Sequence, residues 1–183
     1  MSNSKRRSFR AAFGGIIAAL SVVLMFMTGL LPSLTYAVPA VCGALLMAAV
    51  IEINSGFGAV IYVAVSILSL LMVADKEAAV MYAAFFGYYP ILKGFIERIK
   101  NTVVTWVLKY IVFNAAVVSA YFVLAKVFLI PFEGYGEDFL GKFALPLLLI
   151  LANIVFALYD IALTRLVTAY LQRWRKYVTR IFK

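Results

Sequence analysis

Few side chains of this 183-residue protein could carry chemistry, because most of the chain is apolar. The sequence has no histidine and one cysteine, Cys42, which excludes internal disulfides, zinc clusters and histidine-based catalysis. Polar residues inside long apolar runs or at their ends are rare, and we single out Glu52, Asn54, Asn114, Asn153, Asp160 and Arg165. We expect Asp160 to pair with Arg165 or a basic residue of the fourth apolar run, and the asparagines to hydrogen-bond between helices. A proton or ion relay is the alternative.

One stretch nearly matches a nucleotide-binding loop. Residues 136–143 read GEDFLGKF, close to the pattern GxxxxGK[ST] that cradles phosphates. Phe143 stands where a hydroxyl would hold Mg²⁺, Glu137 and Asp138 would repel phosphates, and no strand precedes the loop. The sequence also lacks Gly-x-Ser-x-Gly and the other motifs of intramembrane proteases. We therefore expect no enzyme, no catalytic residue, no metal site and no cofactor.

Composition places the chain in lipid. Hydrophobic residues make up 66% of the chain and mean hydropathy is +1.02, more apolar surface than one soluble core can hide. Apolar runs cover residues 11–31, 37–53, 57–74, 78–96, 103–130 and 144–168. Long runs without period-two alternation favour helices over an outer-membrane barrel. We therefore predict an all-α fold, with one integral membrane domain over residues 1–183 built as a six-transmembrane-helix bundle.

Positive charge predicts the orientation, since cytoplasmic flanks of membrane helices collect Lys and Arg. With both termini in the cytoplasm, only Lys76, Lys126 and Lys142 of the 17 basic residues lie outside. The net charge of +9 then indicates attraction to anionic lipid rather than nucleic-acid binding. Residues 169–183 alternate apolar and basic faces, which predicts an amphipathic tail helix in the inner interface. We expect a multi-pass protein of the inner cell membrane.

The fourth apolar run changes character along its length. Tyr88, Tyr89 and Pro90 fall near mid-membrane, and Pro90 frees the carbonyl four residues earlier. The tyrosines either bond to neighbours in a kinked packing helix or floor a polar cavity. Lys93 and Glu97 come next, one helical turn apart, which allows an ion pair. We expect these charges to mark the exit into the cytoplasmic headgroups, with Lys93 snorkelling if it lies in the acyl region.

The first run carries a row of small residues spaced by four, Ala11, Gly15 and Ala19, with Gly14 and Ala18 on the adjoining row. Such a stripe lets another helix approach closely. Internal packing and a docking face for a partner protein explain it equally well.

Six predicted helices in fewer than 200 residues, with AAFGGIIAALSVVLMFMTGLLP, VPAVCGALLMAAV and NSGFGAVIYVAVSILSLL, resemble the substrate-binding S-components of energy-coupling factor transporters. In that family the first helix presents an Ala-x-x-x-Ala stripe to a transmembrane coupling subunit, which works with two ATPases. Ala11, Gly15 and Ala19 match it by position, and the central glycine departs from the pattern. Members bind vitamins or metal ions near the outer face through loops after helices one, three and five. That resemblance implies Tyr36, Tyr82, Glu133 and Tyr135 as ligand contacts, and the lack of histidine disfavours metal.

The expected function is therefore that of a small-solute, vitamin-like binding and uptake subunit that works with a separate energising partner. Tyr88, Tyr89, Asn114 and Asn153 complete the candidate ligand-binding residues. Residues 131–142 form either an outer lid or a solvated acidic connector. The expected partners are the lipid bilayer, a transmembrane coupling subunit with its ATPases and a small organic solute. The alternative is an orphan membrane interaction protein, a sensor or assembly factor with no transport role.

Overall fold

A computed structural model of the protein describes residues 3–129 and 139–174. Every regular element in these ranges is helical, which confirms the all-α fold. The elements are α1 (Asn3–Thr28), a 3-10 turn (Pro32–Leu34), α2 (Ala37–Glu52), α3 (Ser55–Met72), α4 (Lys76–Met81), a π-helical turn (Tyr82–Phe86), α5 (Tyr89–Ile96), α6 (Thr102–Lys126), α7 (Phe139–Ala169) and a second π-helical turn (Tyr170–Trp174).

Each predicted run has a helical counterpart, with different ends. α1 begins eight residues earlier than predicted, because charged and polar residues extend it beyond its apolar part. α7 begins five residues earlier than predicted. Within residues 3–129 and 139–174, five spans are long and apolar enough to cross a membrane, and α2 is a shorter apolar helix. Its 16 residues reach about 24 Å, less than the roughly 30 Å of a hydrocarbon core. Of the predicted tail helix, residues 175–183 lie outside the described residues.

Helix starts follow side-chain caps. Asn54 accepts a hydrogen bond from the Phe57 N–H at 2.7 Å and caps α3, and Asp75 accepts one from Ala78 at the start of α4. Asn101 accepts from two backbone N–H groups in the first turn of α6. Short polar side chains satisfy N–H groups that a helix start leaves unpaired, so these residues fix where the chain turns.

The chain packs around two main apolar clusters. The first joins α1, α2 and α3 through Ile17, Leu46 and Val65, and it includes Tyr82 from the fourth span. The second joins the rest of the fourth span to α6 and α7 through an aromatic group, Phe85, Tyr89, Phe113 and Phe156. Rings in this group lie edge-on or stacked, with the Phe113 and Phe156 centroids 4.6 Å apart. The fourth span therefore lies between the two halves of the bundle.

Contacts at both ends show that the spans alternate in direction. At the end predicted to face outside, the Thr35 hydroxyl donates to Asp75 at 2.8 Å and the Tyr36 hydroxyl bonds to Glu77. At the opposite end, the Tyr170 hydroxyl lies 3.2 Å from a Glu52 carboxylate oxygen. Large apolar side chains are exposed on the long spans, α7 above all. Such a surface suits lipid. Together with the long apolar spans, it makes the protein a multi-pass membrane protein.

Candidate functional site

The fourth span breaks where Pro90 removes a backbone donor. α5 starts at Tyr89 with the proline in its first turn, where a missing N–H is tolerated. Upstream, the Gly87 N–H donates to the Tyr82 carbonyl at 2.8 Å, which closes a π-helical turn. The Tyr62 hydroxyl donates to the Ala83 carbonyl at 2.7 Å. A side chain of α3 thus holds the irregular turn in place.

Gly43 of α2 lets this turn pack closely. A Cβ at Gly43 would lie 2.3 Å from the Phe86 carbonyl oxygen and 2.8 Å from the Tyr159 hydroxyl oxygen. The Phe86 carbonyl is the one that Pro90 cannot satisfy, and it points at the α2 backbone. Only glycine leaves enough space there.

A buried charge cluster joins α5, α6 and α7. The Asp160 carboxylate accepts hydrogen bonds from Lys93 at 2.5 Å, Lys109 at 2.7 Å and the Tyr89 hydroxyl at 2.6 Å. Glu97 bonds to the same two ammonium groups, at 2.6 Å from Lys93 and 2.9 Å from Lys109. Two cations and two anions make the cluster neutral, which buried charges require.

This cluster corrects one prediction and confirms two. Lys93 does not snorkel to the headgroups, since its side chain is 1% exposed and all its bonds are internal. The pair between Lys93 and Glu97 forms as the spacing predicts, and Asp160 pairs with a lysine of the fourth span as expected. Arg165 is not its partner among the described ion pairs.

Glu97 is the end of the cluster that reaches solvent, with a side chain 40% exposed. Partial burial raises the pKa of its carboxyl, but hydrogen bonds from Lys93 and Lys109 outweigh burial and hold the pKa below its ordinary value. Glu97 therefore stays charged at neutral pH and keeps both lysines paired. Lys109 also lies over the Trp106 ring, 5.1 Å from its centroid.

A cavity of about 390 Å³ opens beside this cluster, between the start of α6 and the end of α7. Its lining combines charged, hydroxyl and apolar side chains: Glu97, Ile99, Thr102, Thr105, Trp106, Lys109, Asp160, Ile161, Thr164 and Arg165. The cavity lies at the end of the bundle predicted to be cytoplasmic.

Two buried hydroxyls have no hydrogen-bond partner among the described residues, those of Ser69 and Tyr82. The hydroxyl of Ser66 lies beside that of Tyr62. Tyr82 and Ser69 are each 0% exposed. Ser66 and Ser69 follow Tyr62 by four and seven residues, so all three lie on one face of α3. That face meets the fourth span, because the Tyr62 and Tyr82 ring centroids are 6.3 Å apart. These hydroxyls lie in the half of the bundle predicted to face outward.

The other candidate ligand residues do not converge on one site. Asn114 and Asn153 exchange side-chain amide hydrogen bonds of 2.9 and 3.2 Å between α6 and α7. Tyr36 is exposed at the end predicted to face outside, and Tyr88 packs edge-on against the Tyr62 ring. Tyr89 bonds to Asp160 in the half of the bundle predicted to face the cytoplasm, whereas Tyr82 lies in the half predicted to face outward. The two remaining candidates, Glu133 and Tyr135, lie outside the described residues, as does most of the predicted lid.

The small residues of α1 divide between two faces. Gly14 packs inward, and a Cβ there would lie 2.3 Å from the Phe57 ring of α3. Ala11, Gly15 and Ala19 face away from the bundle, and a Cβ at Gly15 would meet nothing within 4 Å. The row that matches the S-component stripe is thus an exposed face.

Sequence reasoning missed Lys109, Trp106 and the α3 hydroxyls. Lys109 follows seven residues of an apolar helix, and a lone intramembrane cation is a signal in itself. The distribution of basic residues instead places Lys109 among the cytoplasmic flanking charges. Serines are common in apolar helices, so Ser66 and Ser69 give no comparable signal in the sequence.

Comparison with known proteins found no matching family model, no matching curated protein and no matching solved structure.

Proposed function

We propose that the protein is a membrane subunit for uptake of a small, vitamin-like organic solute, which it binds in the outer half of the bundle and transfers with a separate energising partner. The observation that carries this proposal is the pair of unpaired hydroxyls of Ser69 and Tyr82. A buried hydroxyl without a partner costs about 1 to 3 kcal/mol. A polar solute between α3 and the fourth span would give both a partner.

The depth of these groups supports binding from the outer side. Ser69 lies three residues before the end of α3 and Tyr82 six residues after the start of α4, so both are within about 10 Å of the same end. Above them, Thr35 and Tyr36 hold the connection between α1 and α2 against Asp75 and Glu77. A solute that enters from this end would pass these contacts.

Thermal-shift screening of the purified protein in mild detergent tests solute binding. Vitamins, nucleobases and amino-acid derivatives are the compounds to screen. At about 100 times its Kd, a ligand adds roughly 2.7 kcal/mol to the free energy of unfolding. For a chain of this size, that raises Tm by about 5 to 10 °C.

Two tyrosine variants make the assay specific. Tyr82→Phe removes an unpaired hydroxyl, so without solute it leaves Tm unchanged or raised, and with solute it loses the ligand shift. Tyr62→Phe is the matched control, because the neighbouring hydroxyl is hydrogen-bonded and its removal costs about 1 kcal/mol. A Tyr82→Phe variant as destabilised as Tyr62→Phe, with no solute shifting the wild type, would rule out a solute site here.

The exposed row of Ala11, Gly15 and Ala19 supports the partner in this proposal. Gly15→Leu fills that surface, and Gly94→Leu is its matched control, since a Cβ at Gly94 also meets nothing within 4 Å. We expect Gly15→Leu alone to lose co-purification of a transmembrane partner and ATPases from membranes. If wild type recovers neither component, the energised uptake role fails.

The same row also supports the second candidate function, a membrane interaction protein without transport. In that case Gly15→Leu abolishes partner binding while no solute shifts Tm in any variant. The two functions therefore differ in the thermal-shift result and share the pull-down result.

A further inference from the structure

The cavity between α6 and α7 is independent of the outer hydroxyls and lies at the opposite end of the bundle. Glu97 and Arg165 line it close to the membrane surface, and Lys109 lines it about 10 Å into α6. By the distribution of basic residues, this depth is that of the inner-leaflet headgroups. Its occupant is therefore drawn from the inner leaflet or the cytoplasm.

Charge in the cavity favours an anion. The carboxylates of Glu97 and Asp160 are each bonded to both lysines, so the four groups cancel. Arg165 adds a fifth charge, and no carboxylate among the described side chains pairs with it. Arg98 and Lys100 in the adjoining connection are exposed and add further positive charge. The net charge of the groups in and beside the cavity is thus positive.

Hydrogen-bond donors in the lining suit an oxyanion. The Arg165 guanidinium presents five N–H groups in a fork that matches phosphate. Lys109 is almost fully buried and donates two of its three N–H groups to carboxylates. The indole N–H of Trp106, which also lines the cavity, has no acceptor among the described residues. The hydroxyls of Thr105 and Thr164 already donate to backbone carbonyls, so they do not compete as donors.

Apolar walls indicate that the anion belongs to a lipid. Ile99 and Ile161 line the cavity beside the charged groups, and the cavity is open to the surface of the protein rather than enclosed. Tryptophan is enriched at this depth because its ring is apolar and its N–H is polar. Basic pockets between spans on the cytoplasmic side suit acidic headgroups.

We propose that this cavity binds a phosphate group, presented by an anionic phospholipid of the inner leaflet, through Arg165, Lys109 and Trp106. The delipidated full-length protein in mild detergent is titrated with phosphatidylglycerol, with phosphatidylcholine and with sodium phosphate against sodium chloride of equal ionic strength. Lipid retained per protein is read by native mass spectrometry, and Tm is read in parallel. We expect phosphatidylglycerol alone to bind and to raise Tm.

Arg165→Gln should weaken phosphatidylglycerol binding about fivefold, the effect of one basic residue near an acidic lipid surface. Arg173→Gln is the matched control, because Arg173 is exposed on the same segment of chain and does not line the cavity. Arg165→Lys keeps the charge without the fork and should fall between Arg165→Gln and wild type.

If Arg165→Gln and Arg173→Gln weaken phosphatidylglycerol binding equally, the effect is one of general surface charge and the site is overturned. Equal binding of phosphatidylcholine would overturn the requirement for an anionic lipid. Stabilisation by sodium phosphate that matches that by phosphatidylglycerol, and is lost in Arg165→Gln, would keep the phosphate site and overturn its assignment to lipid.

Discussion

Replacing Asp160 with asparagine tests whether the buried cluster holds α5, α6 and α7 together. The substitution leaves Lys93 and Lys109 buried with Glu97 as their only carboxylate, so the cluster gains a net charge of +1. Removing one partner of a buried ion pair costs about 3 to 5 kcal/mol. The bond from Tyr89 also weakens, because an amide oxygen is a poorer acceptor than a carboxylate.

A loss of this size lowers Tm by roughly 6 to 20 °C for a chain of about 180 residues. The assay is thermal or denaturant unfolding in mild detergent at pH 7, with Glu97→Gln as the matched carboxylate variant. Glu97 is 40% exposed, so solvent screens its interactions and its loss should cost clearly less than that of Asp160.

The double variant Lys93→Met with Asp160→Leu removes one cation and one anion together. It leaves Lys109 paired with Glu97, so it should be more stable than Asp160→Asn despite carrying two changes. A loss below about 1 kcal/mol for Asp160→Asn, or a double variant less stable than the single one, would refute this account of the cluster.

Three further predictions follow from single contacts. The pKa of Glu97 lies below its ordinary value of 4.5 in the folded protein, so its contribution to stability is complete above that pH and disappears as pH falls through the folded pKa. Unfolding curves of wild type and Glu97→Gln should therefore converge in acid and differ at pH 7. Gly43→Ala should cost about 1 to 3 kcal/mol, because its Cβ overlaps the Phe86 carbonyl, whereas Gly94→Ala should stabilise by up to about 1 kcal/mol. A double-mutant cycle with Asn114→Val and Asn153→Val should give a coupling of about 0.6 to 1.7 kcal/mol, and additive losses would mean that the amide pair contributes nothing.

Local features of the fold were predictable from sequence. Asn54, Asp75 and Asn101 begin helices because a short polar side chain can cap the turn that follows it, whatever packs around it. The pair between Lys93 and Glu97 needs only one helical turn. These interactions span four residues or fewer, so the pattern of residue types contains them.

The charge cluster could be predicted only in part, because its contacts span long stretches of chain. Asp160 is 51 residues from Lys109 and 71 from Tyr89, and which basic residue it meets depends on how α6 and α7 pack. From the sequence, either Arg165 or a basic residue of the fourth apolar run could pair with Asp160, and the packing of the helices selects Lys93. The sequence places Lys93 among the flanking charges, because its depth in the membrane depends on where the fourth span ends.

The break in the fourth span explains how one segment serves both halves of the bundle. In an unbroken α-helix, seven residues turn through about 700°, so Tyr82 and Tyr89 would lie on nearly the same face. The π-helical turn and the new helix at Tyr89 interrupt that register. Tyr82 packs in the cluster with α1, α2 and α3, and Tyr89 packs in the cluster with α6 and α7.

The two tyrosine hydroxyls therefore meet different environments within one span. That of Tyr89 is bonded to Asp160, which suits a fixed structural joint at the end predicted to be cytoplasmic. That of Tyr82 has no partner among the described residues, which suits a binding surface in the half predicted to face outward. Irregular π-helical turns are common at functional sites because they redirect side chains in this way. If the break serves this purpose, Tyr89→Phe should destabilise the protein and Tyr82→Phe should not, since only the first removes a formed hydrogen bond.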